Sequence, residues 1–231
     1  MATHLPPKPE TNATYQQQAY DYVKDQITGL KLKPGQTLTD SQVAAALNIS
    51  RTPVREALRR LEQEGLLVND SRRGWKIYSL SLDDLRQIFE IKQLLEGLIV
   101  EQAAACQDPG LRRALQTNLH QMQSAASAGD YEAWRQADAA LHRTLQQMSN
   151  NRRACAALQS LDDQWFRLRA GYIALEGRMQ RSAGEHAAIV ASILEGNASG
   201  ASEKMRAHVR TVYHDLVDTL RVVMPFVQGN L

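Results

Sequence analysis

Cysteine, phenylalanine and long apolar runs are what this 231-residue chain has least of: two Cys, three Phe, and aromatics at 6% overall. Cys106 and Cys155 stand far apart in no metal-type spacing, which favours free thiols in a reducing cytoplasm over a disulfide framework. No stretch approaches the ~20 apolar residues that span a bilayer. Met1–Asn12 is polar and proline-rich rather than leader-like, so a cytoplasmic protein without a membrane partner is expected. Beyond residue 74 proline is confined to Pro109 and Pro225, and the composition there favours helix. A strong charge of one sign is also missing, the net being +2, which excludes a polycation. The excess is uneven: residues 1–80 carry 11 Lys/Arg against 8 Asp/Glu, and the remainder 16 against 17. A basic head on a near-neutral body suits a phosphate-bearing partner.

What is present is concentrated in Asn48–Leu61. On a helix, Arg51, Arg55 and Arg59 recur every fourth residue as one basic stripe, while Val54, Leu58 and Leu61 form a separate apolar one. Pro53 is tolerated only in a first turn, so the arginines begin near the helix N-terminus. Such a stripe is either a solvated basic face or a helix shaped to enter the major groove, where an Arg fork bonds G O6 and N7. The flanks bear on the choice. A helix is predicted from about Tyr15 to Gly29 with Ala19, Tyr22, Val23 and Ile27 inward, followed by a turn at Leu32–Gly35. Thr39-Asp40-Ser41-Gln42 fits a capping box for a short helix to Leu47, and Asn48 suits a left-handed turn. After the Arg helix stops near Gly65, Leu66–Val68 and Trp75–Tyr78 bracket a turn-rich tip as a hairpin. Together these make a winged helix-turn-helix over residues 15–79, behind a flexible tail at 1–14. Its expected DNA contacts are Arg51, Thr52 and Arg55 toward bases, with Arg59, Arg60, Arg72, Arg73, Gly74 and Lys76 toward phosphates or the minor groove.

Residues 80–231 carry no strand signal. Breaks at Asp108–Gly110, Gly129, Ser149–Asn151, Gly196 and Pro225 divide them into six helices: Ser81 to Gln107, Pro109 or Gly110 to Ala128, Asp130 to Met148, Arg152 to Leu175, one capped by Ser182–Glu185, and Ser199 to Met224. The fold class is therefore mainly α, a winged helix-turn-helix plus a six-helix antiparallel bundle. Asp138 and His142 share a face of the third bundle helix, His186 lies early in the fifth, and His208 in the middle of the sixth. One carboxylate and three imidazoles can converge on a divalent cation, zinc first, with nickel and manganese compatible. Each histidine alone also fits an ordinary hydrogen-bonded helix position. Trp134, Trp165 and Phe166 read as core.

Leu32–Leu38, Ile49–Leu58 and Leu61–Leu66 closely resemble the N-terminal reader of GntR-family transcription regulators. Where many relatives have an Arg near the start of the second helix, this chain has Ser41. Asp138–His142, Glu185–Ile189 and Met205–His208 resemble the metal-ligand segments of the FCD effector-binding domain of the FadR-type branch, in its six-helix, VanR-like form. The resemblance implies a homodimer that acts as a repressor on a palindromic double-stranded operator, with Asp138, His142, His186 and His208 on a metal that helps hold a small carboxylate effector. It places Lys92 where such domains often carry an effector-binding Arg; either the effector geometry differs, or the position is surface. Arg169 and Tyr172 are candidates for further effector contacts. An alternative keeps the regulator with a purely structural metal, and another makes the body a metal-dependent hydrolase. The latter lacks a His-Glu-x-x-His pattern, and Glu185 is expected to point away from His186.

Overall fold

The computed structural model describes residues 12–29, 31–70, 73–173 and 177–227, with the side chains of 12, 13, 166–173 and 222–227 outside the description. The chain divides after Leu80 into two compact units. In the first, α1 (Asn12–Thr28), β1 (Thr37–Leu38), α2 (Asp40–Leu47), α3 (Arg51–Gln63), β2 (Leu67–Asp70) and β3 (Gly74–Ile77) follow in order. Thr39 and Gln42 cap α2 reciprocally, and Asn48 takes the left-handed conformation at φ 53°. The chain therefore re-enters a helix at once. Pro53 occupies the third position of α3, and Val54, Ala57, Leu58 and Leu61 are fully buried against α1, Ile77 and their neighbours.

Two local expectations need correcting. Tyr20 joins Ala19, Val23 and Ile27 on the buried face of α1, and Tyr22 packs against that core only partly buried. The Tyr20 ring packs while its hydroxyl donates to Glu64 Oε2 at 2.6 Å and accepts from Lys24 Nζ at 2.9 Å, so the polar end is satisfied at the core's edge. The hairpin also gains a third strand: β1 pairs with β3, giving the order β1-β3-β2 with Leu38 opposite Trp75 and Asp70 opposite Gly74. Two residues are too few to leave a periodic signal. Gly74, at φ 92°, is fixed by this strand, because a Cβ there would lie 2.8 Å from the Leu38 carbonyl oxygen.

The second unit is helical throughout its described residues: α4 (Leu82–Ala103), α5 (Pro109–Ala128), α6 (Tyr131–Ser149), α7 (Arg152–Ile173), α8 (Arg178–Leu194) and α9 (Ala198–Val227). Ser81 with Asp84, Asp108 and Asp130 cap the first three, and Gly129 and Asn150 end two of them in left-handed conformations. α4 is the pivot, packing on α6, α7 and α9, while α5 and α8 close the other side. Three boundaries differ from those expected. α4 ends at Ala103, where tighter turns at Ala105 and Cys106 take over its last carbonyls. α8 starts at Arg178 behind Gly177, so Ser182 is buried inside the helix instead of capping it. α9 continues two residues past Pro225, whose fixed φ is itself helical. No helix among the described residues is long and apolar enough to cross a membrane.

α4 and α9 approach closely at Gly97, where an added Cβ would meet Arg206 Nε at 2.7 Å and Ser202 Oγ at 3.1 Å. Gly97→Val is expected to lose about 1–3 kcal/mol of stability through overpacking, read as a thermal midpoint several degrees lower with the helical circular dichroism of the folded protein intact.

Candidate nucleic-acid interface and candidate metal pocket

Arg51, Arg55 and Arg59 emerge from α3 on one exposed side and, with Arg73, Gly74 and the start of α2, line an open groove. Thr52 is exposed in the first turn beside it. The structure does not bring Arg60 or Lys76 into the groove. Arg60 is turned back onto α1, its guanidinium 3.8 Å over the Tyr20 ring, bonded to Gln17 at 3.1 Å and to Glu64 at 3.2 Å. Sequence spacing could not reveal this, because Arg60 follows Arg59 directly but sits about 100° around the helix. Lys76 projects from β3 opposite the buried Trp75 and Ile77. Arg72 lies outside the described residues.

One groove residue escaped the sequence reading. Asp40, the first residue of α2, accepts from Trp75 Nε1 at 2.8 Å and from Arg55 Nε at 2.9 Å, with Arg51 at 3.9 Å. Burial alone would raise its pKa, but the bonds from Trp75 and Arg55 outweigh that and hold it below the usual carboxylate value.

In the helical unit, Asp138 and His142 lie one turn apart on α6 and meet His186 of α8. His142 Nε2 and His186 Nε2 are 3.2 Å apart, and each is 3.7–3.8 Å from Asp138 Oδ1. These separations define a circle of radius about 2.1 Å, the ordinary length of a metal bond to nitrogen or carboxylate oxygen. The donor chemistry fits as well. His186 Nδ1 lies 2.8 Å from the Ser182 carbonyl, which can only accept, so the ring proton sits on Nδ1 and Nε2 keeps its lone pair. Two imidazole nitrogens this close beside a carboxylate need a proton or a cation between them. The site residues therefore fit a divalent metal.

His208 is not in the three-residue triangle. Its ring lies against that of His186 at 4.4 Å between centroids, and its Nδ1 donates to Glu185 Oε2 at 2.6 Å. Glu185 points away from His186, as expected from its place on the helix, but finds His208 on α9 instead. Arg178, only 1% exposed, bonds both Glu185 oxygens at 3.1–3.2 Å. His142 Nδ1 faces Glu96 at 3.7 Å. Every one of the three histidines thus has Nδ1 beside an acceptor and Nε2 released, the arrangement by which outer partners orient metal-binding imidazoles. Glu96, Arg178, Ser182 and Glu185 were not identified in advance. Their roles depend on pairings between helices, which spacing along one helix does not encode.

Asp138 and His142 of the triangle, with His208, form part of the wall of a cavity of about 300 Å³ bounded also by Phe89, Trp134, Leu158 and Trp165, and His186 lies behind that wall. Lys92 is buried there rather than at the surface, bonded to Glu96 at 2.7 Å and to Asp162 at 2.5 Å, above the Trp165 ring. Burial alone would lower its pKa, but the two carboxylates raise it, so Lys92 stays charged. Trp134 and Trp165 are core, as expected; the side chains of Phe166, Arg169 and Tyr172 lie outside the described residues.

Desolvation, followed by the neighbouring His208 and His142, depresses the His186 pKa to about 3. Glu185 is depressed to about 2: burial opposes this, but His208 and Arg178 dominate. The metal-free fold should therefore lose stability as pH falls below about 6.5, where an unfolded histidine takes up a proton that buried His186 refuses. The slope from this one group is at most about 1.4 kcal/mol per pH unit. Denaturant titrations of chelator-treated protein should show it, and His186→Gln should flatten the limb between pH 6.5 and 4.5, leaving the carboxylate-driven loss below that range.

Residues 15–77 match the profile described as "Bacterial regulatory proteins, gntR family", and residues 87–211 match that of the FCD domain. The chain is 31% identical to the HTH-type transcriptional regulator YdhC of Bacillus subtilis, over 84% of this chain and 87% of that one. It is 28% identical to the HTH-type transcriptional repressor RspR of Escherichia coli, over 63% and 64% respectively. Among solved structures, E. coli McbR/YncC superposes with a TM-score of 0.71 at 23% identity, covering 88% of this chain and 97% of that one, which establishes likeness of fold.

Proposed function

The chain belongs to the GntR family of bacterial regulators, in the branch with an FCD domain, and we propose that it is a cytoplasmic, metal-loaded repressor released by a small carboxylate effector. Its relatives are transcriptional regulators rather than enzymes. The observation that carries the finer reading is the Asp138–His142–His186 triangle, two of whose members, Asp138 and His142, line a cavity of about 300 Å³. His208, oriented by Glu185, is the proposed fourth ligand. A bound divalent cation supplies a Lewis-acidic anchor for a carboxylate. The cavity's own charges support an anion: Lys92, Arg143 and Arg178 balance Glu96, Asp138 and Asp162, so a dication tips the pocket positive. Mixed nitrogen and oxygen donors admit zinc, nickel or manganese. Lys92, already held by two carboxylates, acts by its field more than by direct grip on the ligand.

In the head, Arg51 and Arg55 read bases in the major groove, with Thr52 beside them. Arg59 and Arg73 bind phosphate, and Lys76 and Arg72 extend that contact from the wing. Arg60 is given a packing role instead. Repression is the sense suggested by the name of RspR, carried here as part of the proposal. Selection of duplexes from a random library by the wild-type protein, followed by anisotropy titration, tests the reading. Arg55→Ala should weaken binding to the selected site by about tenfold or more. His142→Ala should bind DNA normally yet lose both metal, by elemental analysis, and the response to a panel of organic acids. Absence of DNA binding at low salt removes the reading; normal metal content with no response to any acid leaves only a structural metal.

The homodimer rests on α4, which exposes Ile91, Leu94 and Leu98 at 49%, 55% and 37% on one stripe spaced i, i+3, i+7. A second copy of the same stripe is the self-complementary partner that two-fold symmetry supplies, and the palindromic operator follows from it. Leu94→Glu should shift the sedimentation coefficient from dimer to monomer and weaken binding to the two-half-site duplex, while leaving the far-ultraviolet spectrum unchanged.

A further inference from the structure

Within the groove of the head, four arginines share the lining with two carboxylates, Asp40 and Asp70, and Asp40 pairs with two of the arginines, although an acid facing a phosphate backbone ordinarily weakens binding. Asp40 is nevertheless built in firmly. Its backbone begins a helix fixed by the Thr39–Gln42 capping box, and its side chain is 11% exposed. One oxygen is held by the indole N–H of Trp75, itself buried in the central strand of the wing. The other receives Nε of Arg55, whose side chain is 51% exposed.

The edge of the guanidinium that Asp40 uses decides what remains. A guanidinium has one edge containing Nε and another formed by its two terminal nitrogens. With Nε committed to Asp40, the terminal pair faces outward as a pre-aimed fork, the geometry that bonds G O6 and N7 together. Held this way, Arg55 gives up less rotamer freedom on meeting a base. The same negative charge, 3.9 Å from Arg51 as well, reduces the attraction of the groove for phosphate anywhere along a duplex.

We propose that Asp40 is a positioning residue for sequence discrimination: it aims Arg55 at a base pair, locks that aim to the wing through Trp75, and suppresses non-specific binding. The proposal rests on the reading that α3 and the wing meet DNA. Its consequence is asymmetric, since loss of the carboxylate harms the chosen site and spares or helps every other sequence.

The test measures D40N, W75F, R55A and the D40N/R55A double variant against the library-selected duplex and a random duplex across a salt series, with thermal midpoints for each. D40N should bind the selected duplex about ten- to a hundredfold more weakly. It should bind the random duplex as tightly as wild type or tighter, with a salt dependence steeper by about one counterion. Repeating the selection with D40N should relax preference at the base pair that R55A also relaxes, and the double variant should be no worse than R55A. An unchanged ratio of selected to random binding in D40N overturns the proposal. So does a loss that W75F reproduces on both duplexes in step with a fallen thermal midpoint, since that describes a structural staple. Wild-type protein that binds neither duplex overturns the DNA reading itself, and this proposal with it.

Discussion

A buried imidazole is tolerable only when its N–H has an acceptor and its lone pair has a use. Around that constraint the helical unit is arranged. His186 is placed in the third turn of α8, its Nδ1 bonded to the carbonyl of the preceding turn at 2.8 Å, so helix geometry itself selects the tautomer. His208 takes its acceptor from Glu185 on α8, and His142 faces Glu96 on α4. Three neighbouring helices are therefore needed to hold three rings. An unsatisfied buried polar group costs about 1–3 kcal/mol, so loss of one acceptor is felt by both the fold and the pocket.

The acceptors are themselves restrained by cations. Glu185 is gripped by Arg178 and Glu96 by Lys92, which also bridges to Asp162 on α7. Buried ion pairs contribute little net stability because desolvation offsets attraction. Their value here is geometric: charges held by their own partners fix the orientation of the rings beside them. The head follows the same logic with opposite partners, a half-buried carboxylate holding an exposed guanidinium by one edge. In each unit the group proposed to meet a ligand is presented by a counter-charge that is not.

Much of the local structure was legible because single residues dictate it. The Thr39–Gln42 capping box, the left-handed Asn48 and the helix start at Asp130 appear at the positions where their side chains predict them. The i, i+4 pair Asp138 and His142 was readable from helical spacing, and its meeting with His186 was expected from resemblance. What was not legible depends on tertiary competition. Ser182-Ala183-Gly184-Glu185 has capping chemistry, yet the helix had already begun at Arg178 behind a left-handed glycine, so Ser182 turns to His186 instead. Tyr20 is buried more deeply than Tyr22, with Glu64 and Lys24 satisfying its hydroxyl at the end of the ring. Arg60 looks like its neighbour Arg59 in sequence but falls over an aromatic ring. Asp40 and Arg178 gave no signal, since the pairings that fix them include Trp75 and Asp215, 35 and 37 residues away on other elements.

The same pairings bear on why the proposed metal pocket suits holding a ligand better than hydrolysing one. Hydrolysis on such a site needs a carboxylate or imidazole free to accept a proton from water beside the metal. Here Glu96 is committed to Lys92, Asp162 to Lys92 and the Trp165 indole, and Glu185 to His208 and Arg178. Glu96 and Glu185 are held to about 2, far below the range in which a carboxylate serves as an efficient base near neutrality. The remaining acid, Asp138, is 2% exposed within the ligand triangle. With the pocket's cations balanced by its carboxylates and its proton-accepting groups already engaged, the proposed metal would be what draws an anion in, and the remaining walls suit holding a molecule rather than changing it.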